Sequence, residues 1–462
     1  MAAAGSARDA LREAQLAVLL ATPSEEAEAA YYARLVVPGA PGHGDVLVRR
    51  SATTHGKGLF AARDFDEGER VLVEPPLVGM QQEGNRKDAL VCGECFRYVG
   101  SVEGQIARRL LDAGAEVEGI VDPAHLRRLM DGEEKLPGSE HFPMPATRAC
   151  PGGSREVYCS EACEAKAMET HVRCMYGGDA AAAAAFVEHA KETNDIFILA
   201  AKLLVRVALA AERAETAAAG RHGKAPARDP GSPEAMASLA AAWEPFAMGH
   251  KAVWWEAVAR PDDVAAGDEE TAFRDSMKDI AVESLNLLVR SLPSAVVEAF
   301  PGLFDLEVFS RVIGMFELNN LEIAVASHVE DYFLHVDDLE DGSAEKEAAE
   351  LITGPLLDAL DTGYCAPCEG TGFFALQSCI NSDCDPNVAP LKDDDDRDGS
   401  CVLVAKRPIR AGEELTMCYV DESADVKTRR AELADYGFTC QCARCQREEA
   451  GLGQARRGSK MK

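Results

Sequence analysis

Apolar and polar positions change their period several times along the chain, and those changes divide it. Leu11, Ala14 and Val18 fall on one face of a helix that Pro23 ends, and Tyr31 and Tyr32 follow before Pro38, so the N-terminal stretch reads as one or two packing helices. From Asp45 short β-rich runs take over, Val46-Leu47-Val48 and Val71-Leu72-Val73, split by the glycines of His55-Gly56-Lys57-Gly58. Between Leu90 and Tyr176 the periodicity fades and cysteine, glycine and proline accumulate. Such a stretch makes little core without metal, and its middle, 100–147, reads as an insertion. Helical spacing returns with Ile196, Leu199, Ala200, Leu203, Leu204 and Val207, and again with Met277, Ile280, Ala281, Ser284, Leu285, Leu288 and Val289, which stop before Pro293. The Pro/Gly-rich polar stretch from Gly220 to Glu234 reads as a loop or a disordered linker. β patterning resumes at Cys401–Ala405 and Leu415–Val420, preceded by an acidic run, Asp393–Asp396, that reads as a solvated hairpin loop.

With 462 residues, 47% of them hydrophobic, the chain has enough apolar surface for a substantial core. No uninterrupted apolar run reaches the roughly 18 residues of a membrane span, and the acidic N-terminus lacks the apolar centre of a secretory signal, so a soluble protein of the nucleus or cytoplasm is expected. In those compartments thiols stay reduced, which makes the fifteen cysteines better metal ligands than disulfide partners. The formal charge of -30 argues against a broad phosphate-binding face. It fits a basic partner, and it equally serves plain solubility. Neither direct nucleic-acid binding nor a membrane is expected.

Cysteine spacing supplies the first candidate chemistry. Cys159-x3-Cys163-x7-His171-x2-Cys174 offers one pair able to grip a zinc ion, while His171 and Cys174, one or two helical turns later, face another. Near the C-terminus, Cys440-x-Cys442-x2-Cys445 supplies three thiolates, one short of a closed site. Cys365 and Cys368 have ligand spacing but no partner pair, and Cys379, Cys401 and Cys418 alternate with apolar strand residues as core positions do. With Cys92-x2-Cys95 upstream, the first group resembles the MYND finger, whose ligand pairs interleave around two zinc ions. That resemblance implies one site of Cys92, Cys95, Cys159 and Cys163. It implies a second, weakened site of Cys150, His171 and Cys174, where Ser154 stands in place of a thiol and His141 or water would complete the tetrahedron.

Four further segments resemble the SET family: Gly56-Lys57-Gly58-Leu59-Phe60-Ala61, Asn381-Ser382-Asp383-Cys384-Asp385-Pro386-Asn387, Gly412-Glu413-Glu414-Leu415-Thr416-Met417-Cys418-Tyr419, and Tyr436-Gly437-Phe438. Their order around a MYND-like insertion resembles the SET-and-MYND protein-lysine methyltransferases, and Glu369–Cys379 looks like the branch containing plant trithorax-related SET proteins. The implied fold is α+β and multidomain: a β-rich split SET fold with a pseudoknot, an inserted zinc finger, a helical insert and a post-SET zinc segment. The expected divisions are 1–44 (N-terminal helices), 45–90 (first SET part), 91–176 (finger), 177–304 (helical insert), 305–425 (SET core), 426–447 (post-SET) and 448–462 (tail).

The same resemblance implies S-adenosylmethionine as methyl donor and two or three structural zinc ions. Backbone of Lys57, Gly58, Leu59 and Ser382 is expected to line the donor site, with Asn381, Asn319, Tyr419 and Phe438 as further contacts. Small Gly56 and Gly58 would let backbone approach the bent donor. Tyr419 and Tyr436 are the expected catalytic pair, walling a channel that desolvates the target lysine and lowers its pKa towards the neutral amine. Cys384 is the implied fourth ligand of the C-terminal site. Implied partners are a basic protein substrate such as a histone tail and proline-containing peptides at the finger, and a catalytically weak scaffold binding such peptides is the competing reading. Ser382 and Asp383 depart from the family's usual Asn-His-Ser-Cys.

Overall fold

The computed structural model describes residues 2–36, 44–51, 56–114, 119–151, 154–221, 229–261 and 263–450, with backbone alone for 2–6, 218–221, 362 and 363. His55, much of the linker before Glu234 and the basic stretch Arg456–Lys460 lie outside the described residues.

The alternating run after Asp45 forms strands because its apolar side chains have one buried face to share. β1 (Val46–Arg50) pairs antiparallel with β2 (Lys57–Ala61), which pairs antiparallel with β12 (Glu414–Met417). The short β9 (Asn381–Ser382) lies parallel to β12, with Asn381 opposite Thr416. A second sheet orders β10 (Val388–Pro390), β11 (Cys401–Ala405) and β3 (Arg70–Glu74). A third orders β4 (Val78–Gln81), β8 (Cys368–Phe373) and β7 (Leu321–Val325). Leu59, Leu72, Phe374, Leu376, Leu403 and Leu415 meet in one core between them. Each is essentially removed from water, worth about 2 kcal/mol apiece. The acidic run lies in the β10–β11 loop, where the Arg70 guanidinium holds Asp393 at 2.7 Å and Asp396 at 2.8 Å.

The helix Ile196–Arg221 has Leu199, Leu203, Leu204 and Val207 fully buried. It shares one core with Trp243, Leu285, Leu288 and Phe309 from the helices Pro233–Ala247, Asp268–Ser291 and Leu306–Asn319. The N-terminal helix, Ala2–Leu19, joins this core by a face other than the expected one. Ala14 is exposed, whereas Gln15 is buried, its amide donating to the Ala299 carbonyl at 2.8 Å and its oxygen accepting from the Gly302 N–H at 2.9 Å. An amide that satisfies two buried backbone groups outcompetes a methyl for that position.

The finger's middle also departs from expectation. It forms two helices, Val102–Ala113 and Pro123–Met130, that pack on His328–Asp337 and Ala344–Leu360 from an insertion within the SET core. Ile106, Leu110, Leu126 and Leu129 meet Tyr332, Phe333 and Leu356 there. Neither insertion holds this core alone, which is why local periodicity did not reveal it.

Candidate active site and metal centres

β5 (Arg148–Ala149) pairs with β6 (Val157–Tyr158), and the helix Glu161–Ala167 follows, capped by the Ser160 hydroxyl accepting from the Cys163 N–H. This local frame brings Cys159 and Cys163 against Cys92 and Cys95. The four sulfurs lie within 4.8 Å of one another, with Cys95 3.5 Å from Cys159 and Cys159 3.6 Å from Cys163. Four thiols at that separation match the donor set of a closed structural zinc site.

The second finger site is not assembled. His171 Nε2 lies 3.1 Å from Glu156 Oε2, the Tyr158 hydroxyl donates to that oxygen at 3.0 Å, and Lys202 Nζ sits 2.7 Å from Oε1. Cys150 reaches this group only through Tyr158, whose hydroxyl is 3.8 Å from its sulfur, and Cys174 faces the helical core. Ser154 accepts from the Glu156 N–H at 3.2 Å, and His141 packs edge-on against His335. The reason is electrostatic: one carboxylate already matched by an ammonium and an imidazole leaves no anionic donor set for a dication. Burial alone would push the Glu156 carboxyl up, but Lys202 and His171 outweigh it and hold the group well below the usual carboxylate range. Spacing could not reveal this, because Lys202 enters from the helical insert.

The C-terminal group is complete. Cys384, Cys440, Cys442 and Cys445 gather their sulfurs within 4.8 Å, Cys384 lying 3.5 Å from Cys445 and 3.9 Å from Cys440. Backbone N–H groups of Cys442 and Cys445 donate to the sulfurs of Cys440 and Cys442. Fully buried Arg429, on the helix Val426–Ala434, donates to Cys445 Sγ at 3.6 Å. A zinc ion held by four thiolates carries net negative charge, and these donors offset it.

The residues expected to bind the donor and the target lysine gather around β2, β9 and β12. Asn381 commits its amide within the protein, donating to the Lys57 carbonyl at 3.0 Å and to Glu414 Oε1 at 2.7 Å. Gly58 is part of β2, and a Cβ there would strike the Glu414 carboxylate and come within 3.1 Å of Asn381 Nδ2. The Asn381–Glu414 contact thus packs directly against Gly58 and gives the glycine a second reason for its small size. Leu59 is fully buried between β1 and β12. Asn319 donates to the His250 carbonyl at 3.0 Å and to Met315 O at 2.6 Å. Among the described residues, the side-chain atoms Ser382 Oγ, Asn320 Oδ1 and Gln377 Oε1 are buried without a hydrogen-bond partner. Such atoms cost about 1–3 kcal/mol each, and Ser382 follows Asn381 on β9, so one unpaired polar group stands where the family resemblance places the donor.

The Tyr419 hydroxyl donates to the Ile380 carbonyl, one residue before Asn381. Burial, then neighbouring Tyr436, raises its pKa, so the phenol stays protonated. The Tyr436 ring centroid is 5.0 Å away at 51°. Phe438 is 37% exposed and, among the described residues, stacks on neither tyrosine.

Two groups beside these residues carry no sequence signature. The loop 248–251 of the helical insert is held from both sides, by Lys57 Nζ donating to the Met248 carbonyl and by Asn319 on His250. Its Lys251 lines a cleft of about 190 Å³ with His250, Arg311 and Trp243, and burial, reinforced by Lys57 and Arg311, pushes its pKa down to about 7. Glu74, at the end of β3, is the other.

The SET domain family matches residues 56–420. Histone-lysine N-methyltransferase ATXR2 of Arabidopsis thaliana is 40% identical over 86% of this chain and 90% of its own length. Protein-lysine N-trimethyltransferase SMYD5 of Gallus gallus is 23% identical over 85% of this chain and 84% of its own. Mus musculus histone-lysine N-methyltransferase SMYD3 is 40% identical over a shorter stretch, 17% of this chain and 18% of its own. With the sheet order, the two four-cysteine groups and the tyrosine pair already in place, these matches make the chain a member of the SET domain family, in the SET-and-MYND methyltransferase group with the plant trithorax-related proteins.

Proposed function

We propose that this protein transfers a methyl group from S-adenosylmethionine to a lysine side chain of a basic protein, with histone tails as the leading substrate class. The observation that carries the reading is the Tyr419 hydroxyl fixed on the Ile380 carbonyl, beside Asn381 and 5.0 Å from the Tyr436 ring. When bound, the donor supplies an electrophilic methyl on a sulfonium. The chain's own residues do the rest. Tyr419 and Tyr436 wall a channel that strips water from the incoming ammonium, which favours the neutral, nucleophilic amine. The Tyr419 oxygen and the Ile380 carbonyl orient that amine, and the aromatic faces stabilise the cationic nitrogen that results. Asn381 and Glu414 brace the Lys57 strand against β9, so the donor cleft keeps its width. The zinc ions hold structure: the C-terminal one ties Cys384, three residues after Asn381, to the segment carrying Tyr436 and Phe438.

The relatives named as histone-lysine methyltransferases support the substrate class, and the charge of -30 favours association with lysine-rich tails. A nuclear place of action follows from a histone substrate. Among the described residues no helix is long and apolar enough to cross a membrane. Incubation with labelled donor and separated histone and cytosolic proteins, followed by mapping of the labelled lysine, tests the reading. A second role is peptide capture beside the finger, where Tyr176 and, from the helical insert, Ala180, Ala183 and Val187 line a cleft of about 400 Å³ together with charged Arg86, Arg155, Glu188 and Lys191. Metal-replete protein that binds a proline-containing peptide but no S-adenosylmethionine would leave the scaffold reading in place of the enzyme.

A further inference from the structure

Glu74 ends β3 opposite Cys401 and is only 4% exposed. Its carboxylate accepts from the Leu376 N–H at 3.0 and 3.1 Å and from the Gln377 N–H at 3.0 Å. Those donors open the single turn Gln377–Cys379, where the Ile380 N–H in turn donates to the Gln377 carbonyl at 2.9 Å. The next carbonyl, that of Ile380, receives the Tyr419 hydroxyl, and the next side chain, Asn381, holds Lys57. One buried carboxylate thus fixes the origin of the segment to which both the expected catalytic tyrosine and the expected donor-binding asparagine are registered.

We propose that Glu74 is a positioning residue for the donor and lysine sites, its ionised carboxylate locking the 375–379 turn so that Ile380 and Asn381 meet Tyr419 and Lys57. The proposal rests on the reading of Tyr419 and Asn381 given above. A carboxylate serves all these N–H groups at once through two oxygens; a protonated carboxyl or an amide keeps one good acceptor. No ion pair steadies the charge among the described residues. The titratable groups facing it are Tyr31 from the helix Glu25–Leu35, Cys379 from the turn and Cys401 from β11, none of them a cation. Burial accordingly pushes the Glu74 pKa up to about 7, against the pull of the backbone donors. The lock is therefore set above neutrality and released below it.

The test is calorimetric titration of S-adenosylhomocysteine into metal-loaded wild-type protein, Glu74→Gln and Glu74→Asp at pH values from about 6 to about 8. Wild-type affinity should rise roughly tenfold from the lower to the upper end of that range, while Glu74→Gln binds roughly tenfold more weakly than wild type at the upper end and changes less with pH. The ligand's own amine titrates alike in all proteins, so the difference between profiles belongs to Glu74. Glu74→Asp keeps the charge and should retain the pH step, and it decides the matter if Glu74→Gln does not fold. Parallel profiles, or unchanged affinity in Glu74→Gln, overturn this proposal alone. No binding by any of the proteins at any pH overturns the methyl-transfer reading and this proposal with it.

Discussion

Lys202→Met is the substitution whose outcome the finger's charge cluster predicts most sharply. Lys202 and Glu156 are 4% and 3% exposed and 2.7 Å apart, so the change leaves a buried carboxylate supported only by His171 and the Tyr158 hydroxyl. Removing one partner of such a pair costs about 3–5 kcal/mol, because the remaining charge keeps its desolvation penalty. The loss should be local, since Glu156 also packs beneath the first zinc loop: a Cβ on Gly93 would sit 3.1 Å from its carboxyl carbon. Hydrogen exchange should show residues 154–176 losing protection while 401–445 keep theirs. Removing both charges together, as in Glu156→Leu with Lys202→Met, should recover much of the loss. Metal analysis runs alongside: the wild-type chain should carry two zinc ions, and Cys174→Ser should leave that count unchanged. Three ions falling to two in Cys174→Ser, or a Lys202→Met cost below about 1 kcal/mol, would refute the account of this lobe.

Three further outcomes follow from named contacts. Gly58→Ala drives a methyl into the Glu414 carboxylate and should cost roughly 1–3 kcal/mol in a thermal melt, with donor binding lost in proportion. Glu74 keeps a proton in the folded state between its ordinary value of 4.5 and about 7, a proton the unfolded chain has released. Its contribution to stability therefore falls as pH rises through that window, by on the order of 3 kcal/mol, and denaturant titrations of Glu74→Gln should lack that component. Cys384→Ser, or chelation of the C-terminal ion, should free the segment carrying Tyr436, so that turnover falls further than donor affinity. Equal losses in both would place the metal's influence on the donor side instead.

How much of this was legible depended on how locally the information is stored. Strand alternation around Val46 and Val71 and the stripe of Ile196, Leu199, Leu203 and Val207 announce their elements because each period is satisfied within a few residues. Cys384 and Cys440 are far apart in sequence, and only the family resemblance joined them; spacing alone left one ligand open. The failures share a cause. Lys202 displaces a metal from the finger, Gln15 rather than Ala14 faces the helical core, and the loop 248–251 meets Lys57, all by contacts between distant segments that no window of sequence displays. Glu74 escaped notice for a related reason. An acidic residue closing the run Val71-Leu72-Val73 reads as the strand reaching water, and only the buried N–H groups of Leu376 and Gln377 explain its place.

One substitution separates the chemistry of Tyr419 from its packing. Tyr419→Phe keeps the ring against Tyr436 and removes only the hydroxyl that donates to Ile380. With labelled S-adenosylmethionine and a basic protein substrate that the wild-type enzyme methylates, Tyr419→Phe should keep two zinc ions, wild-type hydrogen exchange and donor affinity within about threefold, with methyl transfer reduced roughly a hundredfold. Turnover equal to that of the wild type would contradict the role given to that hydroxyl.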